Sequence, residues 1–213
     1  MHRRSQYPAI TAFCSHLLRC NRLERKGFRA WIFSPGMLFN SLEAWWKDAC
    51  RRPKPHEGID ICIYRTAGGA DVALPPATVI PPLYDGEIAL ISGDFLGQTV
   101  YVRHQLYDRR GRQLYSIYGH TQPHEGTGAG TRVREGTSFA SLADASVKNP
   151  CMPAHLHLSV AWIPRALTKG MLSWETLGSS RIVLLDPLRL LSCPHIIVAA
   201  QRCKPASGRP VSL

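Results

Sequence analysis

Short runs of β-forming residues, separated by turn residues, dominate the middle of the chain. Apolar side chains recur in these runs at every second position or in continuous stretches, which is typical of strands packed against a core. The clearest runs cover residues 59–64, 86–91, 98–103, 113–118 and 155–163. This pattern predicts antiparallel β-structure.

A polar loop separates two of these runs. Residues 108–112 read Asp-Arg-Arg-Gly-Arg, and a polar, glycine-containing segment of this length between two strand patterns predicts a β-hairpin. The second strand of that hairpin would carry Tyr118 and His120 to the same part of the sheet.

The N-terminal region has a different pattern. Residues 11–33 carry apolar residues at irregular helical spacing among five lysines and arginines, which favours a basic amphipathic helix. Asn40 followed by Glu43 resembles a capping box, so we expect a helix of about two turns there. We expect Trp45 and Trp46, which follow, to pack on the sheet; lining a substrate groove is the alternative.

Composition predicts one globular domain with additions at both ends. The chain has 213 residues, of which 45% are hydrophobic, enough for one substantial core. We expect a helical or irregular extension over 1–52, the main domain over 53–191 and a basic C-terminal tail over 192–213. No run approaches the roughly 20 consecutive apolar residues that cross a bilayer, so we expect no transmembrane segment.

Charge indicates an anionic partner without identifying it. Lysine and arginine number 26 against 15 aspartates and glutamates, a formal net charge of +11, and such a field concentrates polyanions near the surface. Nucleic acid fits the charge alone, but the basic residues are scattered and the chain has no zinc-finger, P-loop or RNA-binding motif. We therefore expect no specific nucleic-acid partner.

The cysteines and the first residues bear on cellular location. Seven cysteines leave at least one thiol unpaired in an oxidising compartment, and neither Cys-x-x-Cys nor another cysteine zinc spacing occurs. The sequence Met-His-Arg-Arg at positions 1–4 is not followed by the roughly 7 to 15 apolar residues of a secretory signal.

Imidazole and carboxylate groups recur at strand spacing in two distant segments. His56 and Asp60 are four residues apart and His155 and His157 are two apart, so the members of each pair point to one face of a strand. Gly58, between the first pair, would leave room for an ion. A single strand histidine is more often structural than a ligand, but the combination favours a metal site with the nitrogen and oxygen ligands that zinc takes. The spacing leaves open whether His155 or His157 binds the metal.

Three motifs occur in one order along the chain: His-Glu-Gly-Ile-Asp at 56–60, Tyr-Gly-His at 118–120 and Ala-His-Leu-His-Leu at 154–158. In order and spacing they resemble the motifs of lysostaphin-type (LytM-like) zinc endopeptidases, which cut peptidoglycan peptides. The resemblance covers roughly residues 53–191. Together with the strand pattern, it implies a mainly β fold in which antiparallel sheets form a sandwich or half-open barrel with a groove, plus short N-terminal helices.

The resemblance assigns roles to five side chains. It makes His56, Asp60 and His157 the ligands of a Zn²⁺ ion and leaves the fourth coordination position to water, as in catalytic zinc sites. His120 and His155 become the catalytic pair. One would take the proton from that water and return it to the leaving amine, and the other would stabilise the oxyanion. Which histidine has which role stays open.

Four other residues are weaker candidates. Tyr118 would share a strand face with His120 and could border the substrate groove, with a packed core tyrosine as the alternative. His124 lies in a glycine-rich loop that could also border the groove or be solvated. We expect His104, at a strand end, to be structural and Cys62, beside the first metal motif, to be a small buried residue.

The sequence therefore predicts a zinc-dependent endopeptidase that hydrolyses peptide bonds in peptidoglycan stem peptides or cross-bridges. Its expected location is the cell envelope, the periplasm or the exterior of the cell. The first alternative is a non-catalytic module of this fold that binds or activates other cell-wall hydrolases, and the second is a metal-dependent hydrolase of smaller peptides or amides. Retention of all five key side chains favours catalysis.

Overall fold

Antiparallel strands account for most of the structure. The computed structural model describes residues 7–46, 51–145, 152–167 and 169–199. The elements there are helices α1 (Phe13–Cys20) and α2 (Trp174–Leu177) and strands β1 (Phe28–Phe33), β2 (Ile59–Ile61), β3 (Ile63–Thr66), β4 (Asp71–Ala73), β5 (Val79–Ile80), β6 (Gly86–Gly93), β7 (Gln98–Tyr107), β8 (Gln113–Pro123), β9 (Arg132–Val133), β10 (Ala140–Leu142), β11 (Leu156–Ile163), β12 (Val183–Leu185) and β13 (His195–Ile197). Short 3₁₀ turns occupy Glu24–Lys26, Pro35–Met37, Lys169–Met171 and Pro187–Arg189. The predicted mainly β fold with short helices is confirmed.

The strands form two sheets that remain open. The larger sheet has the order β12-β11-β8-β7-β6-β9, and β2 pairs with β11, β10 with β8, and β5 with β10. The smaller sheet has the order β13-β1-β3-β4. Among the described strands, the pairing of β1 with β13 is parallel and the other pairings are antiparallel.

The predicted hairpin joins β7 and β8. Tyr107 pairs with Gln113 next to the loop. The side chain of Asp108 closes the loop by accepting hydrogen bonds from the backbone N–H groups of Arg110 and Arg112, each at 2.9 Å. The hairpin prediction is therefore confirmed, and β8 runs from this loop towards His120.

Strand β11 brings the two motif segments together. All eight of its residues are buried, and it lies between β2 and β8. His157 pairs with Asp60 on one side and with Gly119 on the other. A Cβ at Gly58 would lie 2.1 Å from the carbonyl oxygen of Leu158. The missing side chain of Gly58 thus makes room for the backbone of β11, and not for an ion as the spacing suggested.

The N-terminal region departs from two predictions. The helix expected over 11–33 is limited to α1, and residues 28–33 form β1 because they pair with β3 and β13. Asn40 has φ 63° and no helix follows it up to residue 46. Instead the N–H of Glu43 donates to Ser41 Oγ at 3.1 Å and the chain turns. The capping-box prediction is wrong for these residues, and 47–50 lie outside the described part of the chain.

Segments from both ends pack on the central structure. Helix α1 contributes Phe13 and Leu17 to the same buried cluster as residues of β1, β2, β8 and β11. Cys14 forms a disulfide with Cys193, and β13 adds to the edge of β1. Most of the predicted basic tail, from residue 200 onward, lies outside the described residues. In the part of the chain that the structure describes, no helix has the length and apolar character needed to cross a membrane.

Candidate metal centre

Three side chains, from β2, β11 and the segment before β2, converge at one point. His56 Nε2 lies 3.0 Å from His157 Nδ1, and Asp60 Oδ1 lies 3.2 Å and 2.9 Å from those two nitrogens. All three side chains are buried. Among the residues that the structure describes, these three form a group whose atoms could hold one metal ion.

Hydrogen bonds on the far side of each ring orient the two imidazoles. His56 Nδ1 lies 3.0 Å from the carbonyl oxygen of Leu38, which can only accept, so Nδ1 carries the proton and Nε2 keeps a lone pair in the neutral ring. His157 Nε2 lies 3.0 Å from Ser159 Oγ, and donation to that hydroxyl leaves the Nδ1 lone pair free. Outer partners of this kind set the tautomer of metal-binding histidines.

Asp60 uses its two oxygens differently. Oδ1 faces the imidazoles, whereas Oδ2 accepts hydrogen bonds from Trp45 Nε1 at 2.5 Å and Arg52 Nη2 at 3.3 Å. Burial alone would raise the pKa of Asp60, but His56 and His157 hold it well below its usual range, so the carboxyl is ionised. Burial lowers the pKa of His157 to about 4, so its ring is neutral at pH 7.

The three facing atoms need a proton or a cation between them. With the tautomers described above, each presents a lone pair to the other two, which is repulsive at separations of 2.9 to 3.2 Å. A tetrahedral zinc ion with ligands at about 2.1 Å places neighbouring ligands about 3.4 Å apart, close to these distances. Two imidazoles and one carboxylate also form a donor set found in catalytic zinc enzymes. The residues therefore fit a zinc ion.

Two further histidines lie beside this centre. The ring centroid of His120 is 4.7 Å from that of His155 and 6.1 Å from that of His157. His155 Nδ1 lies 3.0 Å from the carbonyl oxygen of Pro153, so Nδ1 donates and Nε2 keeps a lone pair. Burial lowers the pKa of His155, so this ring is neutral at pH 7. The structure thus brings together the five side chains that the sequence assigned to metal and catalysis.

Asp94 holds His120 in place, and sequence reasoning missed it. Its Oδ1 lies 3.1 Å from His120 Nδ1, and its Oδ2 accepts the backbone N–H of His120 at 2.9 Å. The same carboxylate accepts from the N–H groups of Leu96 and Gly97 and from Thr99 Oγ1. Burial would raise the pKa of Asp94, but His120 and these hydrogen bonds lower it, so the carboxyl is ionised at neutral pH. An ionised carboxylate only accepts, so His120 Nδ1 carries a proton.

An open cleft of about 260 Å³ reaches the centre. The ring of Phe95, 62% exposed, lies 5.0 Å from that of His120 between centroids, and the ring of Trp174 lies 4.8 Å from that of His157. Aromatic faces therefore flank the two histidines that border the cleft. The cleft is lined by Arg52, Glu57, Asp94, Phe95, His120, His157 and Trp174. Phe95 and Trp174 lie outside the periodic strand runs, so strand periodicity gives no signal for them.

The weaker candidates do not belong to that lining. Tyr118 is fully buried, and its hydroxyl accepts hydrogen bonds from the N–H of Leu83 at 2.7 Å and from Ser116 Oγ at 2.8 Å. His104 Nε2 lies 2.7 Å from the same Ser116 Oγ, so His104 and Tyr118 share a core network. His124 follows β8 and is partly exposed, outside the residues that border the cleft.

Trp45 and Cys62 lie beside the three residues of the candidate metal centre. The indole N–H of Trp45 donates to Asp60, and the indole ring lies 5.2 Å from the ring of His155 between centroids. Trp45 therefore supports the site directly, a role that neither sheet packing nor substrate lining anticipated. Cys62 is fully buried, and burial raises the pKa of its thiol, which agrees with the expected small buried residue.

Comparisons with known proteins gave structural likenesses only. No protein-family model matches the chain, and no curated protein matches it. One chain in the structure of the SpoIIQ–SpoIIIAH pore-forming complex is 12% identical to this chain. The match covers 86% of this chain and 90% of that one, with a TM-score of 0.43. A putative glycyl-glycine endopeptidase, LytM from Ruminococcus gnavus, is 17% identical over 63% and 45%, with a TM-score of 0.41. Lysostaphin is 13% identical over 74% and 51%, with a TM-score of 0.42, so the chain spans about half of these last two proteins.

Proposed function

We propose that the chain is a zinc-dependent endopeptidase that hydrolyses peptide bonds in peptidoglycan stem peptides or cross-bridges. The observation that carries this proposal is the convergence of His56, Asp60 and His157 beside two further imidazoles in an open cleft. Metal-dependent hydrolysis rests on that arrangement. Peptidoglycan as the substrate rests on the resemblance of the three sequence motifs.

The residues of the site divide into metal ligands and proton carriers. A zinc ion held by His56 Nε2, Asp60 Oδ1 and His157 Nδ1 would act as a Lewis acid and lower the pKa of a water molecule to about 7. His120 and His155 each donate through Nδ1, so in its neutral form each ring keeps the Nε2 lone pair. One Nε2 can accept the proton of the attacking water and return it to the leaving amine. The other, once protonated, can donate to the oxyanion on the scissile carbonyl.

The partners of the two proton carriers separate their roles. His120 is bonded to the ionised carboxylate of Asp94, which stabilises a positive charge on the imidazole. His155 is bonded to the neutral carbonyl of Pro153 and is itself neutral at pH 7. This difference favours His155 as the acceptor of the first proton and His120 as the protonated donor to the oxyanion.

The cleft suits an extended peptide. Phe95 and Trp174 offer apolar faces on which the substrate backbone and small side chains can lie. Glu57 borders the same space and can receive a free amino group of a peptide branch. A hydrophobic wall with a few convergent polar groups is the usual form of a ligand cleft.

The test combines metal content with product analysis. His157→Ala should lose bound zinc and hydrolysis, whereas His120→Ala and His155→Ala should keep the metal and lose most turnover. His195→Ala is the matched control, because His195 is exposed on β13, and it should change neither quantity. Zinc is measured by mass spectrometry on each purified protein, and fragments released from intact sacculi are identified. Equal metal loss in the first three variants would contradict this division between ligands and proton carriers.

A second outcome of that experiment decides between function classes. Tight zinc binding without any released fragment would favour the non-catalytic module. Hydrolysis of short peptides with no effect on sacculi would favour a smaller substrate. New amino termini within released stem peptides or cross-bridges would support the proposal and identify the bond.

The cell envelope or the exterior is the proposed location. The Cys14–Cys193 disulfide supports an oxidising compartment, because cytosolic thiols are kept reduced. Cys20 and Cys62 are free cysteines, so the described cysteines include unpaired thiols, as the odd total requires. Cys62 is buried and protected from exchange.

A further inference from the structure

A second cavity lies at the hairpin end of β7 and β8. Its volume is about 600 Å³. We call it the arginine cavity, because Arg109, Arg110 and Arg112 line it together with Tyr7, Tyr107 and Trp162. The proposed hydrolytic mechanism uses none of these residues.

The arginine cavity is separate from the metal centre. Trp162 of β11 pairs with Leu114, whereas His157 of the same strand pairs with Gly119 at the other end of the β8 contact. Five residues of strand separate Trp162 from His157, which is about 17 Å at roughly 3.3 Å per residue. A ligand in the arginine cavity would therefore leave the metal ligands untouched.

Positive charge dominates the arginine cavity. Its only carboxylate among the described lining residues is Asp108, and Arg112 Nε donates to that group at 2.7 Å. Three guanidinium groups against one carboxylate give the lining a net charge of +2. In the described part of the chain, no carboxylate lies within ion-pair distance of Arg109 or Arg110, and both are exposed. Two of the three guanidinium groups are thus available to an anion.

The arginines stand on an ordered loop. Asp108 Oδ1 accepts from the N–H groups of Arg110 and Arg112, and the N–H of Asp108 donates to the carbonyl of Arg112 at 3.0 Å. Gly111 has φ 71°, a backbone conformation that glycine adopts without strain. This lets the loop turn directly after Arg109 and Arg110. A loop held in this way loses little conformational freedom when an anion binds, which favours affinity.

Two more guanidinium groups contact aromatic residues of the cavity lining. Arg165 lies over the ring of Tyr107 at 5.9 Å, and Arg189 lies over the ring of Tyr7 at 4.8 Å. Cation–π contacts of this kind hold the two guanidinium groups against aromatic residues that line the cavity. Three arginines therefore line one concave space with aromatic walls, and two more contact the rings of those walls.

We propose that the arginine cavity binds the phosphate groups of a phosphodiester-linked polymer attached to the cell wall. Guanidinium groups match phosphate oxygens with paired N–H donors, and the aromatic walls can contact the polyol or sugar between phosphates. The volume, about 600 Å³, exceeds what one phosphate fills and suits a short polymer segment. A nucleic acid would need a basic stripe along the surface, whereas these arginines gather at one hairpin loop. The choice of a wall polymer rests on the proposed function; phosphate binding itself does not.

Binding is measured by calorimetry with a short, defined poly(glycerol phosphate) chain, whose diester phosphates are weak zinc chelators. Arg109→Gln with Arg110→Gln should weaken binding at least about tenfold, because two charge-assisted contacts are lost. The matched control is Arg25→Gln with Arg29→Gln, which removes the same charge from exposed positions outside the cavity and should stay within about twofold. Equal weakening in both double variants, or in neither, would overturn the proposal.

Three further ligands identify the source of the phosphate. Retention on sacculi should fall when phosphodiester polymers are stripped from them with hydrofluoric acid, and unchanged retention would exclude the wall polymer. Tighter binding of a poly(dT) strand of equal charge would replace the proposal with nucleic acid. Binding to phosphatidylglycerol vesicles without binding to poly(glycerol phosphate) would replace it with a lipid surface.

The same double variant distinguishes a failure of this proposal from a failure of the proposed function. Zinc content and hydrolysis of a soluble peptide should be equal in Arg109→Gln/Arg110→Gln and in the unmodified chain. If no peptide is hydrolysed by either protein but the difference in phosphate binding is found, only the hydrolase proposal fails. If hydrolysis is found and that difference is not, only the arginine cavity proposal fails.

Discussion

Replacing Asp94 with Asn should reduce turnover while leaving the metal in place. Asp94 bonds both the ring and the backbone N–H of His120, which has φ 61°, a value that residues with side chains rarely adopt. The substitution removes the charge that stabilises protonated His120 but keeps a side chain of the same size. A hydrogen bond to a charged group contributes about 1.5–3 kcal/mol, which corresponds to roughly a 10- to 150-fold loss in kcat.

Two measurements on Asp94→Asn distinguish positioning from general damage. Nitrogen NMR of the ring should show protonated Nδ1 of His120 in the unmodified protein and a mixture of tautomers in the variant. Zinc content should be unchanged, because Asp94 does not contact the ligand atoms of the metal centre. Thr99→Val is the matched control, since it removes another hydrogen bond of Asp94 and leaves the ring of His120 alone. A kcat that falls equally in both variants, or in neither, would refute the positioning role of Asp94.

Three further predictions concern zinc affinity and stability. Trp45→Phe removes one hydrogen bond to Asp60 and should weaken zinc binding about 10- to 100-fold in competition with a chelator of known affinity; unchanged affinity would mean that this contact does not hold the ligand. Burial lowers the pKa of His104 to about 4, so between pH 6.5 and 4 the unfolded chain binds a proton that the folded chain does not. The free energy of unfolding therefore decreases as pH falls through that window, by about 3 kcal/mol in total. His104→Gln should flatten the pH dependence of urea unfolding there, and identical slopes would contradict the assignment. Cys14→Ser with Cys193→Ser opens a loop of 179 residues and should lower the free energy of unfolding by about 2–5 kcal/mol. The urea midpoint of this double variant should equal the lowered midpoint of the unmodified chain in reductant.

The histidine pair of the third motif was predictable because its signal is local. His155 and His157 alternate with leucines along one strand, and strand periodicity places both on one face whatever the rest of the fold does. The convergence of His157 with His56 and Asp60 needed the fold, since it depends on the pairing of β11 with β2. The motif resemblance supplied that information before any pairing was known.

Asp94 could not be recognised in the same way. The sequence Asp-Phe-Leu-Gly at 94–97 reads as an ordinary turn, and Asp94 does accept the turn N–H groups of Leu96 and Gly97. Its second role appears only because the pairing of β7 with β8 sets this turn beside His120. One carboxylate serves both the turn and His120, so the sequence pattern of an ordinary turn gives no sign of the contact with His120.

The error over residues 28–33 has a related cause. This six-residue run has basic residues before and within it, and its irregular apolar spacing fits a helix as well as a strand. Its partners decide the outcome: β3 lies about 30 residues later in the chain and β13 more than 160 residues later. Strand preference depends on such neighbours more than helix preference does, so the distant pairing overrides the local pattern.

Metal binding and the folding of strand β2 should form one equilibrium. β2 has only three residues, and its register with β11 sets Asp60 directly opposite His157. Burying the carboxylate of Asp60 costs several kcal/mol unless it is compensated. Trp45 and Arg52 compensate one of its oxygens, and the other oxygen faces His56 and His157. A cation held between that oxygen and the two imidazoles would join β2 to β11 through side chains as well as backbone. Gly58 serves the same end, because only a residue without a side chain lets this segment approach β11 closely enough for the ligands to meet.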